Sequence, residues 1–293
     1  MDLTDRSPSV IVGVDGSDLA DTAAVLAVEE AHRRLLAVRL VTAFNWSDDL
    51  PVAAPHPGRA AARQAAADHL EQLQRDLRAR FPGIQVEGVV LDGPAADVLL
   101  TQSAHAELLV LGAHGPGPLA AVLGPVRAPV LRHCLRPVLL AAAVRDHPAP
   151  SAPVVVAVDD APEDWGRLLR SALLAATTRS AALVVLDLRQ PGPHRTGTDA
   201  GLDALVERLQ DTCPGVRTRV EPPTGPRTLP EQPVAHGAQL LVVGRGRPTE
   251  PLGSTARAAL TQSQVPVLVV PTTPEAQPHG PVRALARTGA SPC

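Results

Sequence analysis

Unbroken apolar runs, each closed by an acidic residue or a glycine, alternate along the chain with segments whose apolar positions fall every three or four residues. Residues 9–15 read SVIVGVD and residues 153–159 read PVVVAVD; such runs are expected of strands buried on both faces. Behind the first, Ala20, Ala24, Ala27, Ala31 and Leu35 line one face of a predicted helix, and behind the second Trp165, Leu168, Ala172 and Ala175 do the same. Second strands are predicted over residues 36–43 and 181–188, followed by helices carrying Ala62, Ala66, Leu70, Leu73 and Leu77, and Leu202, Leu205 and Leu209. Third strands follow over residues 85–91 and 216–221. A third helix is expected to begin near Pro94, because proline suits a first helical turn. Its counterpart over residues 227–237 contains Pro230 and Pro233 and should be short or broken. Fourth strands over 107–111 and 239–243 run into glycine, and fifth strands over 137–141 and 266–270 each follow a short helix.

The two halves therefore spell the same element order, βαβαβαβαβ. Alternation of buried strands with helices predicts an α/β fold: two tandem, doubly wound, five-stranded parallel-sheet lobes, Rossmann-like, with strand order 3-2-1-4-5. The first lobe is expected over residues 1–144, a proline-rich linker over 145–152, a second, degraded lobe over 153–271, and a disordered tail over 272–293. Fusion should let the lobes pair as a pseudo-dimer through their last strands, since a tether raises the effective concentration of each for the other.

Composition narrows the function. With 293 residues, 45% of them hydrophobic, each half can bury its own core. A net charge of -3 and an aromatic content of 1% argue against a nucleic-acid partner, which would need a basic surface or stacking platforms. All 27 basic residues are arginine. Without lysine the chain has no Schiff-base amine, no phosphate-loop lysine and no kinase-type lysine. Cys134, Cys213 and Cys293 are too scattered for a disulfide framework or zinc motif and fit a reducing compartment. No charged-then-apolar leader and no membrane-length apolar stretch is visible, so the expectation is a cytoplasmic protein without a membrane partner.

In an open parallel sheet wound outward from its first strand, a ligand crevice is expected where strands one and four diverge. Asp15 and Gly16 end strand one, and Gly112, Ala113, His114 and Gly115 end strand four. The loop then runs to Gly124, where a helix begins; its N-terminus favours an anion through backbone N–H groups and the helix dipole. At these residues the chain resembles the universal stress protein family, in VIVGVDGS at 10–17, GPAADVLLTQSAHAELLVLGAHG at 93–115 and GPVRAPVLRHCLRPVLL at 124–140. The second half carries VVVAVDD at 154–160, AQLLVVGRGR at 238–247 and GSTARAALTQSQVPVLVVP at 253–271.

The resemblance implies an adenine-nucleotide α-hydrolase-like fold, a regulatory role in the stress response rather than catalysis, and two kinds of member, those that bind ATP and those that do not. Binders look like Gly-x-x-Gly, nine residues, then Gly-Ser or Gly-Thr. Here eight residues separate Gly115 from Gly124, and Pro125 stands where the hydroxyl residue belongs, removing a hydroxyl and an N–H together. In the second half Gly244 is present, Arg247 replaces the second glycine, five residues precede Gly253, and Ser254 and Thr255 complete the ending. Arg245 and Arg247 are candidates to neutralise phosphate, and the short loop suits a mono- or diphosphate or another adenosine-containing ligand better than ATP.

The candidate nucleotide-binding residues are thus Asp15, Gly112, His114, Gly115 and Gly124, with Asp159, Gly244, Arg247, Gly253, Ser254 and Thr255. Each has a plainer reading: Asp15 and Asp159 as caps or turn residues after strands, His114 as a loop residue, Ser254 as a helix cap. His133 beside Cys134 supplies too few ligands for a metal. Asp159 and Asp160 resemble a phosphate-accepting acidic pocket, but the lysine such pockets require is missing. No Gly-x-Ser-x-Gly elbow marks a nucleophile, and no catalytic residue is assigned. Three functional readings remain: a binding module acting on a protein partner, a slow ATPase or nucleotide-dependent enzyme of the same superfamily, and an adaptor with neither pocket in use.

Overall fold

A computed structural model describes residues 8–45, 58–112, 119–142, 149, 151–160, 164–189, 200–222, 229, 237–247 and 252–271. In the first half, β1 (Ser9–Gly13), α1 (Asp18–Arg34), β2 (Ala37–Phe44), α2 (Arg59–Arg80) and β3 (Val86–Asp92) are followed by α3 (Ala95–Ser103), β4 (Leu108–Gly112), α4 (Leu119–His133) and β5 (Val138–Ala141). The second half runs β6 (Val154–Val158), α5 (Trp165–Arg179), β7 (Leu183–Asp187), α6 (Ala200–Thr212), β8 (Thr218–Glu221), β9 (Leu240–Gly244), α7 (Ser254–Gln262) and β10 (Val267–Val270). The linker, tail and third-helix counterpart lie largely or wholly outside the described residues.

The strands form one ten-stranded sheet, in the order β3-β2-β1-β4-β5-β10-β9-β6-β7-β8, rather than two separate five-stranded sheets. All pairings are parallel except that of β5 with β10, where Leu139 stands opposite Leu268 in antiparallel register. Every residue of β5 and of β10 is buried. Each edge covers the other's unpaired backbone groups and apolar side chains, which removes a surface prone to association.

Side chains alternate between the two faces as strand geometry requires. Val10, Val12, Val154 and Val156 join α1, α2, α5 and α6 in one core that runs through both halves. Ile11, Leu109, Val155 and Leu241 join α3, α4 and α7 in the other. Alanines at positions 20, 23, 24, 27 and 31 are buried along α1, so that helix lies close on the sheet.

Leu35 departs from the expected helix face. It sits at φ 57° and is 75% exposed, just past the end of α1. Its N–H and that of Leu36 donate to the His32 and Ala31 carbonyls, a Schellman ending. Ser180 ends α5 in the same way at φ 52°, with Ser180 and Ala181 donating to Thr177 and Ala176. The repeat thus extends to how the first helix of each half stops. Among the described residues, no helix is long and apolar enough to cross a membrane.

Candidate functional site

A cavity of about 440 Å³ opens where β1 and β4 diverge, at their carboxyl ends. Its walls come from Gly13, Val14 and Asp15 after β1, Val41 and Ala43 of β2, Leu99 of α3, Leu111 and Gly112 of β4, and residues 123–127 of α4. The place follows from the winding: α1 covers one face and α3 and α4 the other, so the crossovers leave in opposite directions and a crevice stays between them.

Asp15 is exposed, and its Oδ1 accepts from the Ser17 N–H at 3.0 Å and the Ser17 hydroxyl at 2.6 Å. Ser17 in turn is the N-cap of α1, accepting from the Ala20 N–H. Asp15 is therefore a turn residue that braces the cap, placed on the cavity wall. Gly112 has a packing reason: a Cβ there would stand 3.0 Å from the Leu19 carbonyl oxygen, in the first turn of α1. Gly124 breaks α4 at φ 56° and ψ -179°, so the regular helix starts at Pro125, a position that tolerates a missing N–H. His114 and Gly115 lie outside the described residues.

Arg127 was not singled out by the sequence reading. It lines the same cavity, and its Nη2 lies 3.7 Å from the position a Cβ on Gly124 would occupy. Burial lowers its pKa, and the charge of Asp15 works in the opposite direction. The available signal was its place three residues after Gly124, on the first turn of the helix that closes the crevice.

The corresponding loop of the second half is pinched. The Gly253 N–H donates to the Arg245 carbonyl at 2.7 Å, and a Cβ on Gly246 would stand 2.5 Å from the Gly253 backbone. Gly253, not Ser254, is the N-cap of α7, and Ser254 is exposed at the first helical position. The Thr255 hydroxyl donates to Asp159 Oδ2 at 3.1 Å, and the Trp165 indole N–H donates to the Asp159 carbonyl at 3.0 Å. Asp159 thus ties the β6 end to α7 instead of capping α5, whose N-cap is Asp164. Gly244 has open space around it, and Arg247 is exposed.

Arg245 does not take the phosphate-neutralising place expected of it. Its Nη1 donates to the Arg132 and Cys134 carbonyls, at 2.9 and 3.1 Å, and so reaches the carboxyl end of α4 in the first half. Cationic donors suit a helix C-terminus, where carbonyls lack intrahelical partners. This arginine joins the halves and is not aimed at a phosphate in its own loop. Among the described residues, no three His, Cys, Asp or Glu side chains cluster as metal ligands would.

A tandem α/β protein with a crevice at the sheet's switch point is the class that this fold and cavity define. The sequence profile of the universal stress protein family matches residues 8–142 and again 151–271. The chain belongs to the universal stress protein family, and carries its domain twice. Universal stress protein Rv1996 of Mycobacterium tuberculosis is 30% identical over 304 aligned residues, covering 89% of this chain and 94% of that protein. Rv2005c of the same organism is 36% identical over 133 residues, 45% of this chain and only 44% of its own length. The solved structure of a universal stress protein from Archaeoglobus fulgidus superposes with a TM-score of 0.70 over 90% of this chain and 96% of its own, at 16% identity, a likeness of fold.

Proposed function

We propose that this chain is a regulatory binding protein of the stress response, acting in the cytoplasm, whose first half takes an adenine nucleotide while the second half serves as scaffold. The observation that carries this reading is the cavity of about 440 Å³ between the ends of β1 and β4, a size suited to a small ligand. Each half is read as a five-stranded unit in the order 3-2-1-4-5, and in the second the close approach of Gly246 to Gly253 narrows the loop after β9.

In the first half, the apolar walls of Val41, Leu99 and Leu111 suit a base, and Asp15 can accept from a ribose hydroxyl or an exocyclic amine. Arg127 and the first-turn N–H groups after Gly124 suit an anionic group. Pro125 offers neither hydroxyl nor N–H, so the phosphate end is weaker than the family's binding pattern. Occupancy would tie the β1 end to α4, a contact between elements that a partner protein could read.

Calorimetric titration of the whole chain with adenosine, AMP and ATP tests the reading. Binding should occur and should weaken at least tenfold in Asp15→Asn, a loss comparable to one hydrogen bond to a charged group of roughly 1.5–3 kcal/mol. No heat with any of the three ligands would overturn it. ATP turnover above a heat-killed control would move the protein to the enzyme reading.

A further inference from the structure

Within the nucleotide reading of the first-half cavity, on which this step rests, Arg127 stands out by its place. It comes from the first turn of the helix that starts at Pro125, lines the cavity, and brings Nη2 to 3.7 Å from the Cβ position of Gly124. The guanidinium therefore folds back over the point where the chain turns from crevice into helix. Asp15, whose charge acts on Arg127, belongs to the wall formed by the β1 end. The cavity thus has a cationic group at one wall, an anionic group at another, and apolar Val41, Leu99 and Leu111 besides.

We infer that Arg127 selects the ligand's charged group, suiting this cavity to a nucleoside monophosphate rather than a triphosphate. A planar guanidinium fork grips one phosphate through two parallel hydrogen bonds. A triphosphate needs a succession of donors along the loop and the helix N-terminus. Pro125 withholds the first of these, and Arg127 Nη2 stands 3.7 Å from the Cβ position of Gly124, beside the turn where the next phosphate would approach.

The whole chain, titrated calorimetrically with adenosine, AMP and ATP, provides the test, with Arg127→Gln and Arg127→Lys as variants whose unfolding midpoints are recorded first. The wild type should bind AMP at least tenfold more tightly than ATP. Arg127→Gln should bring AMP affinity down to that of adenosine, leaving adenosine unchanged, and Arg127→Lys should recover part of the difference, since a point charge attracts the phosphate without the fork. In the wild type, salt should weaken AMP binding and leave adenosine binding unaffected, a readout that does not depend on any variant folding. ATP bound as tightly as AMP, or an AMP preference that survives in Arg127→Gln, overturns the inference and leaves the nucleotide reading standing. No binding of any of the three ligands overturns both.

Discussion

Gly112 and Gly244 close equivalent strands, but their surroundings differ. A Cβ on Gly112 would press on the α1 backbone at 3.0 Å, whereas one on Gly244 meets nothing within 4 Å. Gly112→Ala should therefore cost about 1–3 kcal/mol by overpacking, and Gly244→Ala should stay within about 0.5 kcal/mol; urea unfolding of the two variants compares them. At Pro125 the expected direction is a gain. Pro125→Ser should raise nucleotide affinity about tenfold or more if it restores one charge-assisted hydrogen bond of roughly 1.5–3 kcal/mol, with Pro125→Ala separating the N–H from the hydroxyl. No gain in calorimetry would place the obstacle in the shortened loop. The glycine positions were legible in the sequence because glycine is rarely neutral before a helix, but their causes were not. Gly112 answers to Leu19 of α1, far earlier in the chain, and no local pattern reports such an approach.

At the scale of elements, α1 and α5 meet across the halves around one carboxylate. Glu30 is 0% exposed and pairs with Arg33 and Arg34 of its own helix, at 2.9 and 3.0 Å, and with Arg179 from the end of α5. Burial lowers the pKa of Arg179 to about 10, with Glu30 pulling it the other way, so at neutral pH the guanidinium is still charged and depends on that carboxylate. Removing the charge in Glu30→Gln leaves buried arginines uncompensated and should destabilise the protein by about 3–5 kcal/mol. Replacing Glu30 and Arg179 together by methionine should cost less than the sum of the single changes, which a double-mutant cycle in urea measures. Equal and additive losses would show that the pair does not couple the halves. Helix faces such as Ala20, Ala24, Ala27 and Ala31 were legible from their spacing, because periodicity reports burial directly. Leu35 was not, because the same periodicity does not say where a helix stops. The ion cluster was hidden too, since it joins residues 149 positions apart.

At the scale of the molecule, the pairing of β5 with β10 makes one sheet of both halves, and the Glu30 cluster and the Arg245 contacts with α4 lie on its two faces. Thermal unfolding of the whole chain should accordingly show one transition; two resolved transitions would mean that the halves melt independently. The element order of each half could be read from alternating apolar runs, since buried parallel strands and amphipathic helices differ in period. The continuity of the sheet follows from two complementary edges rather than from any residue motif. The shortened loop of the second half was visible in the sequence, but the seating of Gly246 against Gly253 was not, because it depends on backbone contact. Native mass spectrometry of the whole chain with AMP measures how the two halves differ in holding a nucleotide. One nucleotide per chain, abolished when Asp15→Asn and Arg127→Gln are combined, is the expected result. Two nucleotides per chain, or one that persists in that double variant, would contradict a nucleotide site confined to the first-half cavity.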